Sequence, residues 1–133
     1  MSLVFADTSH YIALANSHDD RHSKAVEFSR QFNGRILTTE FVLAELGSWL
    51  SRGRDREVFI EIWKSVEGDA ETILVPSSSE LLRKGMELFS MRPDKEWTLV
   101  DCVSFEVMRA HGIKEALTAD HHFEQAGFVP LLK

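Results

Sequence analysis

The sequence predicts an α/β fold, a parallel sheet covered by helices on both faces. Three observations carry this. Short β-favouring apolar runs alternate along the chain with segments of helical periodicity. The first run, from Ser2 through the apolar Leu3-Val4-Phe5-Ala6, shows no alternation, as in a buried strand. It ends abruptly in Asp7-Thr8-Ser9, after which Tyr11, Ile12, Leu14 and Ala15 return at helical spacing. Asp7 therefore stands at the carboxyl end of a strand, the edge at which open α/β sheets bind ligands. The pattern itself leaves the strand order open.

The elements follow in order. Residues 8–16 read as a helix, and Asn16 to Asp20 as a polar break. A second helix, residues 22–32, places Ala25, Val26, Phe28 and Phe32 near a 3.6 period, and Asn33-Gly34 stops it. Residues 35–38 form the second strand, and Thr39 caps a helix from residue 40 to about 51. A turn at residues 51–54 leads to a helix over residues 55–67, striped by Val58, Phe59, Ile62, Trp63 and Val66. These two helices make an antiparallel hairpin at about 40–67. Residues 71–75 are the third strand. Ser77 and Glu80 fit a Ser-x-x-Glu capping box for a helix that runs to about 90, and Pro93 stops it. Residues 98–111 are apolar on nearly every side, so that helix is buried, and Gly112 ends it. Residues 115–118 are the fourth strand. Asp120 opens a one-turn helix, and residues 128–131 form a last strand that Pro130 assigns to an edge.

At 133 residues the chain is sized for one domain, residues 1–133, with a core that needs no staples. Its single cysteine, Cys102, excludes an internal disulfide and suits a reducing compartment. No apolar run approaches the roughly 18 residues of a membrane span. Asp7 and His10 interrupt the first apolar stretch and no basic region precedes it, so no signal peptide is expected and the location is cytoplasmic. The net charge of −6 argues against a broad phosphate-gripping surface. It is compatible with an acid cluster that binds cations, because the metal reverses the local sign.

Four acids are the candidate site, and each has an ordinary structural alternative. Asp7 could cap the helix that follows it. Glu45 shares a helix face with Phe41 and Trp49 and interrupts an apolar stripe, a costly place for an unpartnered carboxylate. Asp101 follows Thr98 by three residues, as in a capping box, but enters a poorly solvated helix. Asp120 repeats the geometry of Asp7 beyond the fourth strand. Hard oxygen ligands of this kind suit Mg²⁺ or Mn²⁺, and zinc's Cys/His spacings are absent.

The segments around these acids are Phe5-Ala6-Asp7-Thr8-Ser9, Thr39 to Glu45, Trp97 to Phe105, and Leu117 to Phe123. In this order and spacing the sequence resembles the PIN-domain ribonucleases, and among them the VapC-like toxins of bacterial toxin–antitoxin pairs. The resemblance implies a three-layer α/β/α sandwich with a five-stranded parallel sheet in the order 3-2-1-4-5. It implies a Mg²⁺- or Mn²⁺-dependent endoribonuclease that cuts RNA. The acid quartet maps onto Asp7, Glu45, Asp101 and Asp120, with Ser9 and Thr98 in support. A cognate antitoxin and a homodimer are implied as partners.

Other readings follow from the residues. A metal-dependent DNA nuclease, another phosphodiesterase or a non-catalytic metal- or nucleic-acid-binding module would use similar acids. A phosphatase of the Asp-x-Asp type is disfavoured because Ser9 stands two residues after Asp7, and a receiver domain because no acid ends the third strand. A dinucleotide binder would need Gly-x-Gly-x-x-Gly after the first strand. Asp94 reads as turn chemistry after Pro93. His121 and His122 read as a solvated helix start. Arg52, Arg54 and Arg56 are candidate RNA contacts, although Asp55 and Glu57 interleave with them. The aromatics at 41, 49, 59 and 63 read as core or as a groove for a hydrophobic partner, ahead of base-stacking platforms.

Overall fold

A computed structural model describes residues 2–133. Five strands form one sheet: β1 (Ser2–Ala6), β2 (Gly34–Thr39), β3 (Thr72–Val75), β4 (Glu115–Leu117) and β5 (Val129–Pro130). Their order is β3-β2-β1-β4-β5, and every pairing is parallel. The expected order is thus observed, with β1 at the centre and Pro130 on an edge strand. The helices are α1 (Thr8–Ala15), α2 (His22–Gln31), α3 (Glu40–Trp49), α4 (Arg54–Gly68), α5 (Ser79–Met91), α6 (Leu99–Ala110) and α7 (His121–Gln125). Among the described residues, no helix is long and apolar enough to cross a membrane.

The core is continuous across the sheet. Val4, Phe5 and Ala6 of β1 are buried, as are Ala116 and Leu117 of β4. Phe105 of α6 meets Phe123 of α7 edge to face, at 5.0 Å between ring centroids, and Trp97 meets Phe105 in the same manner. On α3 the residues Val42, Leu43 and Leu46 are fully buried. The α3–α4 hairpin closes where Gly47 leaves room for the Phe59 ring: a Cβ there would lie 3.0 Å from it.

Two local expectations need correction. The helix α5 is capped by Ser78, whose hydroxyl accepts from the Leu81 amide, and not by Ser77. Ser77 is diverted because its amide and hydroxyl both donate to Glu40 Oε1, at 2.6 and 3.0 Å, tying the end of β3 to the start of α3. Of the two readings given for the aromatics, core does not hold for Trp49: it is 70% exposed and lines an open groove with Phe41, while Phe41, Phe59 and Trp63 are half-buried. On α3 the core takes the face of Val42 and Leu46, and the adjacent stripe of Phe41, Glu45 and Trp49 is left toward solvent.

Candidate metal centre

Three element ends meet at the carboxyl edge of the sheet. β1 delivers Asp7, β4 leads to Asp120, and the first turn of α6 brings Asp101, while Glu45 reaches in from α3. All four line one open cleft of ≈ 270 Å³, together with Thr8, Ser9, Thr98, Trp49 and His122. A larger cavity, ≈ 480 Å³, lies near the starts of β2 and β3 and contains none of the four acids. The chemistry points to the smaller cleft.

Asp7 occupies the N-cap position of α1 but its side chain does not cap the helix. Its Oδ2 instead accepts from Thr118 Oγ1 at 2.9 Å and from Ser9 Oγ at 3.2 Å. Glu45 Oε1 accepts the Thr8 hydroxyl at 2.6 Å. Thus the two hydroxyls after Asp7 serve different acids. Asp101 and Asp120 act as caps and also face the cleft. Asp101 forms the full capping box with Thr98, whose amide donates to Oδ2 at 3.0 Å. Asp120 Oδ1 accepts the His122 amide at 2.9 Å at the start of α7. For these two acids, capping and a place in the site are therefore not alternatives.

The electrostatics are those of a crowded anionic site. Burial pushes the Asp7 carboxyl up to about 7, and the neighbouring Asp101 charge adds to this against the Thr118 hydrogen bond. Glu45 is raised by burial and by the charges of Asp101 and Asp120, opposed by Thr8. Asp101 is raised by burial and by Asp120, opposed by its bond from the Thr98 amide. A divalent cation would reverse each of these penalties, and carboxylate oxygens are the donor set that Mg²⁺ and Mn²⁺ favour.

Three residues gain a place here that the sequence did not assign them. Thr118 Oγ1, besides donating to Asp7, accepts the Asp120 amide at 3.0 Å and lies 3.0 Å from Ser9 Oγ. Its signal was a hydroxyl two residues before a strand-end acid. Thr8 was visible as one of the two hydroxyls after Asp7. His122, expected as a solvated helix start, is mostly buried and places Nδ1 2.9 Å from Asp101 Oδ2 and 3.5 Å from Asp120 Oδ2. Asp120, His121 and His122 each offer a ligand atom within 4.8 Å of one another. Asp94 stays outside the cleft, paired with Arg92 at 2.9 Å on the surface. Arg52, Arg54 and Arg56 are exposed at the α3–α4 turn, where Arg56 donates to the Ser51 carbonyl.

Comparison with known proteins bears on the family and the fold. The chain is 28% identical over 127 residues to the 23S rRNA-specific endonuclease VapC20 of Mycobacterium tuberculosis, covering 96% of each sequence. The crystal structure of that protein, described as a sarcin–ricin loop cleaving toxin, superposes with a TM-score of 0.86 over 96% of this chain and 97% of the other. VapBC2 from Rickettsia felis, solved bound to a promoter DNA fragment, is similar in fold at a TM-score of 0.67 and 16% identity, over 97% of both chains. FitAcB from Neisseria gonorrhoeae is similar in fold at 0.67 and 12%, over 96% of this chain and 94% of that one. The model of the PIN domain matches residues 4–129, and the chain belongs to the PIN domain family.

Proposed function

We propose that this chain is a Mg²⁺- or Mn²⁺-dependent endoribonuclease, working as one domain over residues 1–133 and as the toxin of a toxin–antitoxin pair. The observation that carries the proposal is the convergence of Asp7, Glu45, Asp101 and Asp120 on one cleft in which burial and mutual repulsion raise three of the four. In the proposal Asp7 and Asp101 hold the cation directly, and Glu45 and Asp120 complete the site directly or through water. The bound ion would lower the pKa of a coordinated water and offset charge on the phosphate. The chain's own residues supply the rest: Thr118 and Ser9 orient Asp7, Thr98 orients Asp101, and Thr8 orients Glu45. Arg52, Arg54 and Arg56 are proposed to guide RNA phosphates from the α3–α4 turn.

The relatives support the substrate and partners. By similarity to VapC20 we take 23S rRNA as the substrate to assay first. The proposed protein partner is a cognate antitoxin, and the proposed location is the cytoplasm. A homodimer is supported by the apolar stripe Leu82, Met86 and Phe89 that α5 leaves exposed.

The test is cleavage of 23S rRNA, total RNA and single-stranded DNA side by side, with Mg²⁺, Mn²⁺ or chelator, and 5′-end mapping of the products. Metal-dependent cuts in RNA that disappear in Asp7→Asn are expected. Equal cleavage by wild type and Asp7→Asn would remove Asp7 from the mechanism, and preference for DNA would reassign the substrate.

A further inference from the structure

We propose that Trp49 is a stacking platform for an unpaired base of the RNA next to the scissile phosphate; this rests on the endoribonuclease reading above. Three observations carry it.

The first is exposure in a particular place. Trp49 is 70% exposed and lines the acid cleft itself. It also walls an adjoining open groove of ≈ 460 Å³, shared with Phe41, Ala44, Ser48 and Val100. Glu45 and Trp49 line both spaces. A polymer whose phosphate reaches the acids therefore passes the indole.

The second is spacing. Glu45 and Trp49 are four residues apart on α3, so they stand one above the other, about one helical turn apart and about 6 Å along the axis. That separation is of the order of one nucleotide. A base attached beside the phosphate at the acids falls on the indole, and not beyond it.

The third is charge. Beyond the end of α3 at Trp49, the turn exposes Arg52 and the start of α4 exposes Arg54, and neither is ion-paired among the described residues. Along α3 and its turn the order is carboxylate, indole, guanidinium. The protein carries a net charge of −6, so it has no broad cationic surface to hold an anion. Local stacking supplies affinity that does not depend on charge, and any base has a π-face for it. A protein segment docking on the apolar groove would use Phe41 and Val100, but it gives no role to the arginines that continue the track.

The experiment measures kcat and KM for Mn²⁺-dependent cleavage of 23S rRNA by wild type, Trp49→Ala and Trp49→Phe. The expected result is a KM raised by roughly 10-fold or more in Trp49→Ala, from the usual strength of base–aromatic stacking. Trp49→Phe keeps a π-face and is expected to restore most of the loss, with kcat little changed in both. Because the side chain is mostly in solvent, both variants are expected to melt like wild type. Wild-type cleavage with unaltered KM in Trp49→Ala overturns the proposal and leaves the nuclease reading intact. Failure of the wild type to cut any RNA overturns both. Loss in Trp49→Ala without rescue by Phe rejects stacking. Normal cleavage combined with escape from a co-expressed antitoxin would assign the indole to the protein partner instead.

Discussion

Thr118 Oγ1 donates to Asp7 Oδ2 at 2.9 Å across the seam between the ends of β1 and β4. The same hydroxyl oxygen accepts the Asp120 amide at 3.0 Å, so one side chain fixes the position of two strand-end acids. Thr118 is fully buried, and removing its hydroxyl leaves a buried carboxylate with one fewer donor. Thr118→Val, nearly the same shape, is expected to lose roughly 1–3 kcal/mol of stability in urea unfolding at pH 8. It is also expected to raise the Mn²⁺ concentration needed for half-maximal cleavage, and Thr118→Ser to restore it. An unchanged metal requirement in Thr118→Val would show that the hydroxyl does not position Asp7.

Burial of the Asp7 carboxyl destabilises the metal-free fold. That carboxyl titrates near 7 when folded and near 3.8 when unfolded. Between those values the folded state binds more protons than the unfolded state, so stability falls as pH rises. Above pH 7 the whole penalty is present. Asp7→Asn is therefore expected to stabilise the metal-free protein at pH 8 by roughly 2–4 kcal/mol, and hardly at all at pH 4. His10 acts with the opposite sign. Burial lowers its imidazole to about 4 from 6.5, so stability falls as pH drops through that interval. In wild type the two effects oppose each other, and Asp7→Asn should unmask the acid sensitivity. Thermal melts from pH 4 to 8 in chelator test this; parallel curves for the two proteins would contradict it.

Much of this was legible because the fold and the site share one signal. Strand one reads as apolar residues followed by Asp7, and the strand-end acids mark the same edge twice. Element bounds fell within one or two residues for most helices, since periodicity and caps such as Thr39 agree. The strand order was not in the pattern; it came with the family resemblance. What the pattern could not show were contacts between distant segments. Glu40 claims Ser77 from 37 residues away and moves the α5 cap to Ser78. Thr8 and Thr118 read as ordinary hydroxyls until α3 and β4 are placed beside β1. Trp49 read as core or as a partner groove because its spacing matched Phe41, and spacing cannot say which of two neighbouring stripes on α3 meets the sheet.

His122 and the capping box share one oxygen of Asp101. The His122 Nδ1 lies 2.9 Å from Oδ2, the oxygen that also accepts the Thr98 amide. A carboxylate can only accept, so Nδ1 carries the hydrogen and the tautomer is fixed. An asparagine amide places a donor where Nδ1 stands. His122→Ala is expected to weaken Mn²⁺ binding by roughly 10-fold or more, the usual cost of removing such an outer partner, and His122→Asn to recover most of it. Calorimetric titration of metal measures this apart from cleavage. Wild-type metal affinity in His122→Ala with lost kcat would point to proton transfer in place of positioning.

Gly85 sets how closely α5 approaches α6, the helix that carries Asp101. A Cβ at Gly85 would fall 2.4 Å from Val103 Cγ2, 3.1 Å from Val103 N and 3.2 Å from Val103 Cα. In an open helix, Gly→Ala gains about 1 kcal/mol from propensity. Here the valine is stiff at χ1 and cannot easily turn aside, and backbone lies directly behind it. Gly85→Ala should therefore have the reverse sign and cost roughly 1–3 kcal/mol, as overpacking does. Urea unfolding measures it, and Gly85→Ala with Val103→Ala separates the causes, because relief of the side-chain clash should recover part of the loss. A single variant more stable than wild type would mean that the two helices can part without strain. If instead α6 shifts outward, Asp101 moves with it, and the metal requirement for cleavage should rise in the single variant and relax in the double.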